Sequence, residues 1–125
     1  MPKVVRAIRG AITVEENSSK CILEATKALL NDILEHNSLD ADNLISIVFT
    51  ATKDLDAVFP ARAAREMGIV DVALMCAQEI EVEGALRMCI RVLIHAYFDS
   101  GTTNGEIKHI YLERAKELRP DLFTS

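Results

Sequence analysis

No apolar run in this chain approaches the roughly 20 residues that span a bilayer, and the opening residues 1–6 (MPKVVR) carry no signal-peptide core. The expectation is a soluble, cytoplasmic protein with no membrane partner. Cysteine is scarce: Cys21, Cys76 and Cys89 are odd in number and lack metal-ligand spacing, which argues against a disulfide framework or a zinc site and fits reduced thiols. Basic charge is also in short supply. Fourteen Lys plus Arg stand against nineteen Asp plus Glu, a net charge of −5, and the basic residues are scattered, so nucleic acid is not an expected partner. An acidic surface repels anions only weakly, because its field is screened beyond about 8 Å at physiological salt. A local arginine cluster can still bind one.

The usual catalytic signatures are missing too. There is no Gly-rich phosphate loop, dinucleotide fingerprint, nucleophile elbow or His-Glu-x-x-His. His36, His95 and His109 are isolated from one another and read as packed or surface histidines.

What is present suits a single domain over residues 1–125, with 50% hydrophobic and 26% charged residues. Residues 3–9 alternate as a first strand, with Val4, Arg6 and Ile8 on one side and Lys3, Val5, Ala7 and Arg9 on the other, ending at Gly10. Asn17, Ser18 and Ser19 offer capping oxygens to a helix with apolar residues at Ile22, Leu29 and Ile33, ending near His36 and Asn37. Its length, roughly 27 Å, is enough to cross one face of a sheet. Residues 44–52 make a second strand, 53–59 a loop, and 60–68 a two-turn helix between Pro60 and Gly68. A third strand is expected over 69–75, with Cys76, Ala77, Gln78 and Glu79 following its end. A fourth runs over 88–98 and a fifth over 107–112. Residues 113–118 suit one helical turn stopped by Pro120, and 119–125 a flexible tail.

The fold expected is therefore α+β: a five-stranded mixed sheet with one long helix on one face and one short helix. In the fourth strand Ile90, Val92, Ile94, Ala96 and Phe98 form a pure core face, while Cys89, Arg91, Leu93, His95 and Tyr97 share the other. Arg91 cannot lose its charge, so it needs a carboxylate, its own protein's or a ligand's, unless its end reaches solvent. No second long helix is available to cover Val5, Ala7, Cys89 and Leu93 on that face. Association of subunits is the natural cover, and a homo-oligomer is expected.

Arg9, Cys76, Glu79, Arg91 and Tyr111 are the polar groups left on strands and strand ends. Each has an ordinary structural reading: surface arginine, solvated carboxylate, small hydrophobe, edge aromatic. Together they would form an anion pocket with one acceptor, but spacing alone does not bring them together.

Six segments in order, 6–15 (RAIRGAITVE), 51–66 (ATKDLDAVFPARAARE), 76–79 (CAQE), 89–92 (CIRV), 109–113 (HIYLE) and 118–122 (LRPDL), resemble the chorismate mutases of the trimeric pseudo-α/β-barrel class. The resemblance spans nearly the whole chain. It implies an isomerase of aromatic amino-acid biosynthesis that converts chorismate to prephenate as a homotrimer, with no cofactor and no metal. In this pericyclic rearrangement an ether C–O bond breaks as a C–C bond forms, without proton transfer or covalent intermediate. Such a catalyst must hold a flexible dianion in its compact conformation and set fixed positive charge where the ether oxygen becomes negative.

By this resemblance Arg91 faces the ether oxygen and a carboxylate, Arg9 and Tyr111 grip carboxylate oxygens, and Glu79 and Cys76 meet the ring hydroxyl, with Ala77 and Gln78 alongside. Phe59, Ala61, Arg62, Arg65, Leu74 and Met75 line the pocket from a neighbouring subunit or the rim. Leu118 and the tail close over it. Arg62 stands where a lysine is common, and Met75 where a small hydroxyl residue is expected. Two other functions remain open on the residues themselves. One is a trimeric enamine or imine hydrolase using an arginine for a carboxylate and an acid to activate water; the other is a non-catalytic trimer that binds a small carboxylate.

Overall fold

Strand alternation organises the molecule: Ile90, Val92, Ile94, Ala96 and Phe98 all face the core, and the strand that carries them lies at the centre of the sheet. The computed structural model describes residues 2–122. It contains β1 (Lys3–Thr13), α1 (Ser19–His36), β2 (Leu44–Ala51), α2 (Ala61–Glu66), β3 (Ala73–Gln78), β4 (Cys89–Asp99) and β5 (Ile110–Leu112), with short 3₁₀ turns at Ala41–Asn43, Asn104–Glu106, Glu113–Leu118 and Pro120–Leu122. The strands form one sheet in the order β3-β2-β4-β1-β5. β4 runs antiparallel to both β1 and β2, while β3 and β5 are parallel edge strands, which makes the sheet mixed as expected.

α1 crosses one face, burying Ile22, Thr26, Leu29, Leu30 and Ile33 against Ile8, Ile12, Ile47, Phe49 and Ile94. Each large aliphatic side chain so buried contributes about 2 kcal/mol. The capping oxygens act as their positions suggest. Ser18 accepts from the Cys21 N–H at 3.1 Å, and Asn17 ties the helix entry to the Asp56 and Ala57 N–H groups. At the other end Asn37 donates to the Ile33 carbonyl and pairs its amide with both backbone groups of Lys108.

The first strand does not stop at Gly10 but continues to Thr13. Gly10 is there because α1 lies close above it, not because the chain turns. The third strand begins at Ala73 instead of Ile69: the Ile69 N–H closes the end of α2 on the Ala64 carbonyl, past Gly68 at φ +88°, and the ladder starts only afterwards. β3 then runs to Gln78, so Cys76, Ala77 and Gln78 lie within the strand. The fifth strand is shorter than expected. Lys108 is held by Asn37 and the Arg9 N–H by His109 Nδ1, so side chains take the bonds that a longer ladder would use.

The turn expected over 113–118 is present as Glu113–Leu118 and stops before Pro120, which opens a further 3₁₀ turn at Pro120–Leu122. The preceding turn, Glu113–Leu118, packs Ala115 with Tyr111 over Ala11 and Cys89, so Cys89 is fully buried and not part of an open face. The rest of that face is open, with Val5 46%, Leu93 38%, Tyr97 45% and Met75 64% exposed. The expected flexible tail falls partly on residues 123–125, outside the described residues. Among the described residues no helix is long and apolar enough to cross a membrane.

Candidate active site

One row of residues crosses the face opposite α1. Tyr111 on β5 pairs with Ala11 on β1, Ala11 with Arg91 on β4, Arg91 with Thr50 on β2, and Thr50 with Ala77 on β3. Strands are about 4.8 Å apart, so Tyr111 and Arg91 stand roughly 10 Å from each other across the small side chain of Ala11. Two large polar groups thus flank Ala11, whose methyl group is fully buried between them.

Arg91 is half-buried. Its Nε lies 3.8 Å from Glu79 Oε1, too far for a hydrogen bond, and has no hydrogen-bond acceptor among the described residues. Glu79 follows β3 directly; its N–H donates to the Ala51 carbonyl at 3.0 Å, and its Oε2 accepts from the Thr50 hydroxyl. Two residues before Arg91 on the same face is the Cys89 thiol. Burial pushes its pKa up to about 11, partly offset by the Arg91 charge, so it is a neutral neighbour at physiological pH.

Tyr111 is buried to its hydroxyl, which has no hydrogen-bond acceptor among the described residues. Arg119 lies over its ring, with the guanidinium carbon 5.9 Å from the centroid, and is clamped by Asp121 through two bonds of 3.0 and 2.9 Å. That bidentate pair holds the Asp121 carboxyl below its usual range and raises Arg119 above its own. Arg9 is exposed one row further on, opposite Leu93, and its backbone N–H donates to His109 Nδ1 at 2.9 Å. Burial, then the charges of Arg119 and Arg9, lowers the His109 pKa.

The remaining candidates divide between regions. Cys76 pairs with Phe49, so it faces the α1 side of the sheet, as does Leu74 opposite Ile47. Cys76, Ala77, Gln78 and Phe59 line a cleft of about 540 Å³ between β3 and the loop before α2. Thr50 and Ala77 belong both to this cleft and to the Arg91 row. Met75 is exposed on the outer face at the far edge. Of the α2 residues, Ala61 is enclosed in the core, Arg65 is exposed, and Arg62 pairs with Glu66 at 3.0 Å. Leu118 packs on the Tyr111 cluster. One chain therefore brings Arg91 and Glu79 together, sets Tyr111 in the same cross-strand row with Arg9 at its margin, and leaves Phe59, Arg62, Arg65, Leu74 and Met75 elsewhere. Among the described residues, no set of three or more His, Cys, Asp or Glu side chains gathers to hold a metal.

Residues 5–122 match the family model described as chorismate mutase type I. The chain belongs to the type I chorismate mutase family. Two relatives carry the name chorismate mutase AroH. The protein from Thermus thermophilus is 45% identical over 120 residues, covering 95% of this chain and 97% of that protein. The one from Bacillus subtilis is 43% identical over 120 residues, covering 95% and 93%. A solved chorismate mutase from Clostridium thermocellum superposes with a TM-score of 0.85 at 50% identity, over 90% of this chain and 98% of that one. The mixed five-stranded sheet with its long and short helices is thus the fold of a type I chorismate mutase.

Thr50 is the residue of this region that the sequence conceals, whereas Arg119 lies in the tail expected to close over the site. Arg119 belongs to a tail segment whose docking on Tyr111 is visible only in three dimensions. Thr50 alternates with the core residues of β2, which puts it on the outer face, but only the strand register sets it beside Arg91.

Proposed function

We propose that the protein isomerises chorismate to prephenate, a step of aromatic amino-acid biosynthesis in the cytoplasm, and that Arg91 is its electrostatic catalyst. The observation that carries the reading is the pair of donors in one cross-strand row, Arg91 Nε and the Tyr111 hydroxyl, both buried without an acceptor among the described residues. Buried polar groups are almost always hydrogen-bonded, so an unpaired pair on one face marks a place where an anion's oxygens bind. Chorismate is a dianion, and its rearrangement places new negative charge on the ether oxygen. A guanidinium already fixed there stabilises the transition state more than the ground state, which lowers the barrier.

In this reading Arg91 meets the ether oxygen and one carboxylate, and Tyr111 and Arg9 take carboxylate oxygens. Glu79 accepts from the ring hydroxyl and keeps the local charge from becoming excessive. Cys76, with Ala77 and Gln78, borders the ring. The substrate supplies every atom of the product, so the protein's task is to hold it compact and exclude water.

The functional unit proposed is a homotrimer. Val5, Leu93, Tyr97 and Met75, apolar residues exposed on the face that carries Arg91, support association of copies, and the number three rests on the family resemblance alone. Association over that face would cover the Arg91 row, and Phe59, Arg62, Arg65, Leu74 and Met75 of a neighbouring copy are the residues proposed to line the site, with Ala61 packed beneath them. Leu118 and the Arg119 segment would cover the Tyr111 side. The test is the loss of chorismate ultraviolet absorbance with purified protein and no metal or nucleotide added. A rate no faster than the uncatalysed one would refute the proposal.

A further inference from the structure

Arg91 and Glu79 share a neighbour that the chemistry above does not use. Thr50 is the next residue along the row from Arg91, and its hydroxyl donates to Glu79 Oε2. The Glu79 main chain is pinned to the Ala51 carbonyl, so only side-chain torsions decide where its carboxylate points. With Oε2 held by Thr50, Oε1 stops 3.8 Å from Arg91 Nε.

An arginine and a carboxylate this close, with nothing restraining them, would close to a charge-assisted contact of about 2.8 Å, often bidentate. In the closed pair the Arg91 donors would be occupied by the protein's own acid, and a substrate oxygen would have to displace it. We infer that Thr50 is a positioning residue that holds Glu79 off Arg91, keeping the guanidinium donors available to the reacting dianion. The inference rests on the mutase reading and gives Thr50 no contact with the reacting atoms.

Thr50→Val keeps the shape and the strand propensity of the site and removes the hydroxyl. With chorismate as substrate, kcat/KM should fall about 10- to 100-fold, the scale on which misplacement of a catalytic group acts. The melting temperature should stay near that of the wild type, and Thr50→Ser should return kcat/KM to within about threefold. In a Glu79→Ala background the same Thr50→Val change should alter kcat/KM by less than about twofold, because the group it positions is gone. A crystal structure of Thr50→Val should show the Arg91–Glu79 contact closed from 3.8 Å to about 3 Å.

Full activity of Thr50→Val beside an active wild type would overturn this inference alone. So would an equal loss in the Glu79→Ala background, or an Arg91–Glu79 separation unchanged in the variant. A wild-type protein inert toward chorismate would overturn the mutase reading and this inference with it.

Discussion

Gly10 and Ile33 approach so closely that a Cβ on the glycine would lie 2.7 Å from Ile33 Cδ1, with the Ile110 carbonyl and Leu29 Cδ1 each 3.2 Å away. The helix that covers the sheet therefore rests on a backbone without a side chain. Gly10→Ala should destabilise the protein by about 1–3 kcal/mol, the usual cost of overpacking a filled core. Thermal melting should report a fall of several degrees. An unchanged melting temperature would show that Ile33 re-packs freely and that the close approach carries no weight.

Arg6 and Arg9 are three residues apart on β1 but on opposite faces. Arg6 donates from Nε to the Thr102 carbonyl at 3.0 Å, far from the Arg91 row, while Arg9 borders that row. Arg6→Ala should leave turnover near normal. Arg9→Ala should raise KM by about tenfold, the loss of one charge-assisted bond to a carboxylate. Steady-state kinetics decide the matter, and a collapse of activity in a folded Arg6→Ala protein would reverse the assignment of faces.

Cys89 carries a thiol whose pKa is pushed up by burial to about 11. The folded state favours the neutral thiol, so this contribution to stability is complete below the ordinary thiol pKa and is lost as pH rises through 9 toward 11. Melting temperature should therefore drop more steeply between pH 9 and 11 for the wild type than for Cys89→Ala. In native protein near pH 8, alkylation should reach Cys89 last of the three cysteines. Rapid labelling there would mean that the Ala115 and Tyr111 cover opens readily.

Alternation and capping were legible in the residues themselves. The two faces of β4, the entry of α1 at Ser18 and its exit at Asn37 follow from period and side-chain chemistry, and the structure agrees with each. What could not be read depends on distance along the chain. Gly10 looks like a strand end until α1 is placed above it. Cys76 looks like a loop residue until the β2–β3 register carries the strand to Gln78 and turns its thiol to the α1 side. Cys89 looks uncovered until Ala115, a residue in a 3₁₀ turn, packs upon it. Thr50 has no distinguishing signal in a strand of alternating residues, and its partnership with Glu79 appears only when three strands are in register.

The central claim is that Arg91 acts on the transition state and does not merely bind. Arg91→Lys keeps the charge but replaces a fixed planar fork by a mobile ammonium. Its kcat on chorismate should fall by on the order of 10²-fold or more, the typical effect of losing one positioned donor to a developing anion. A folded Arg91→Lys protein with unchanged kcat and only a raised KM would contradict the account.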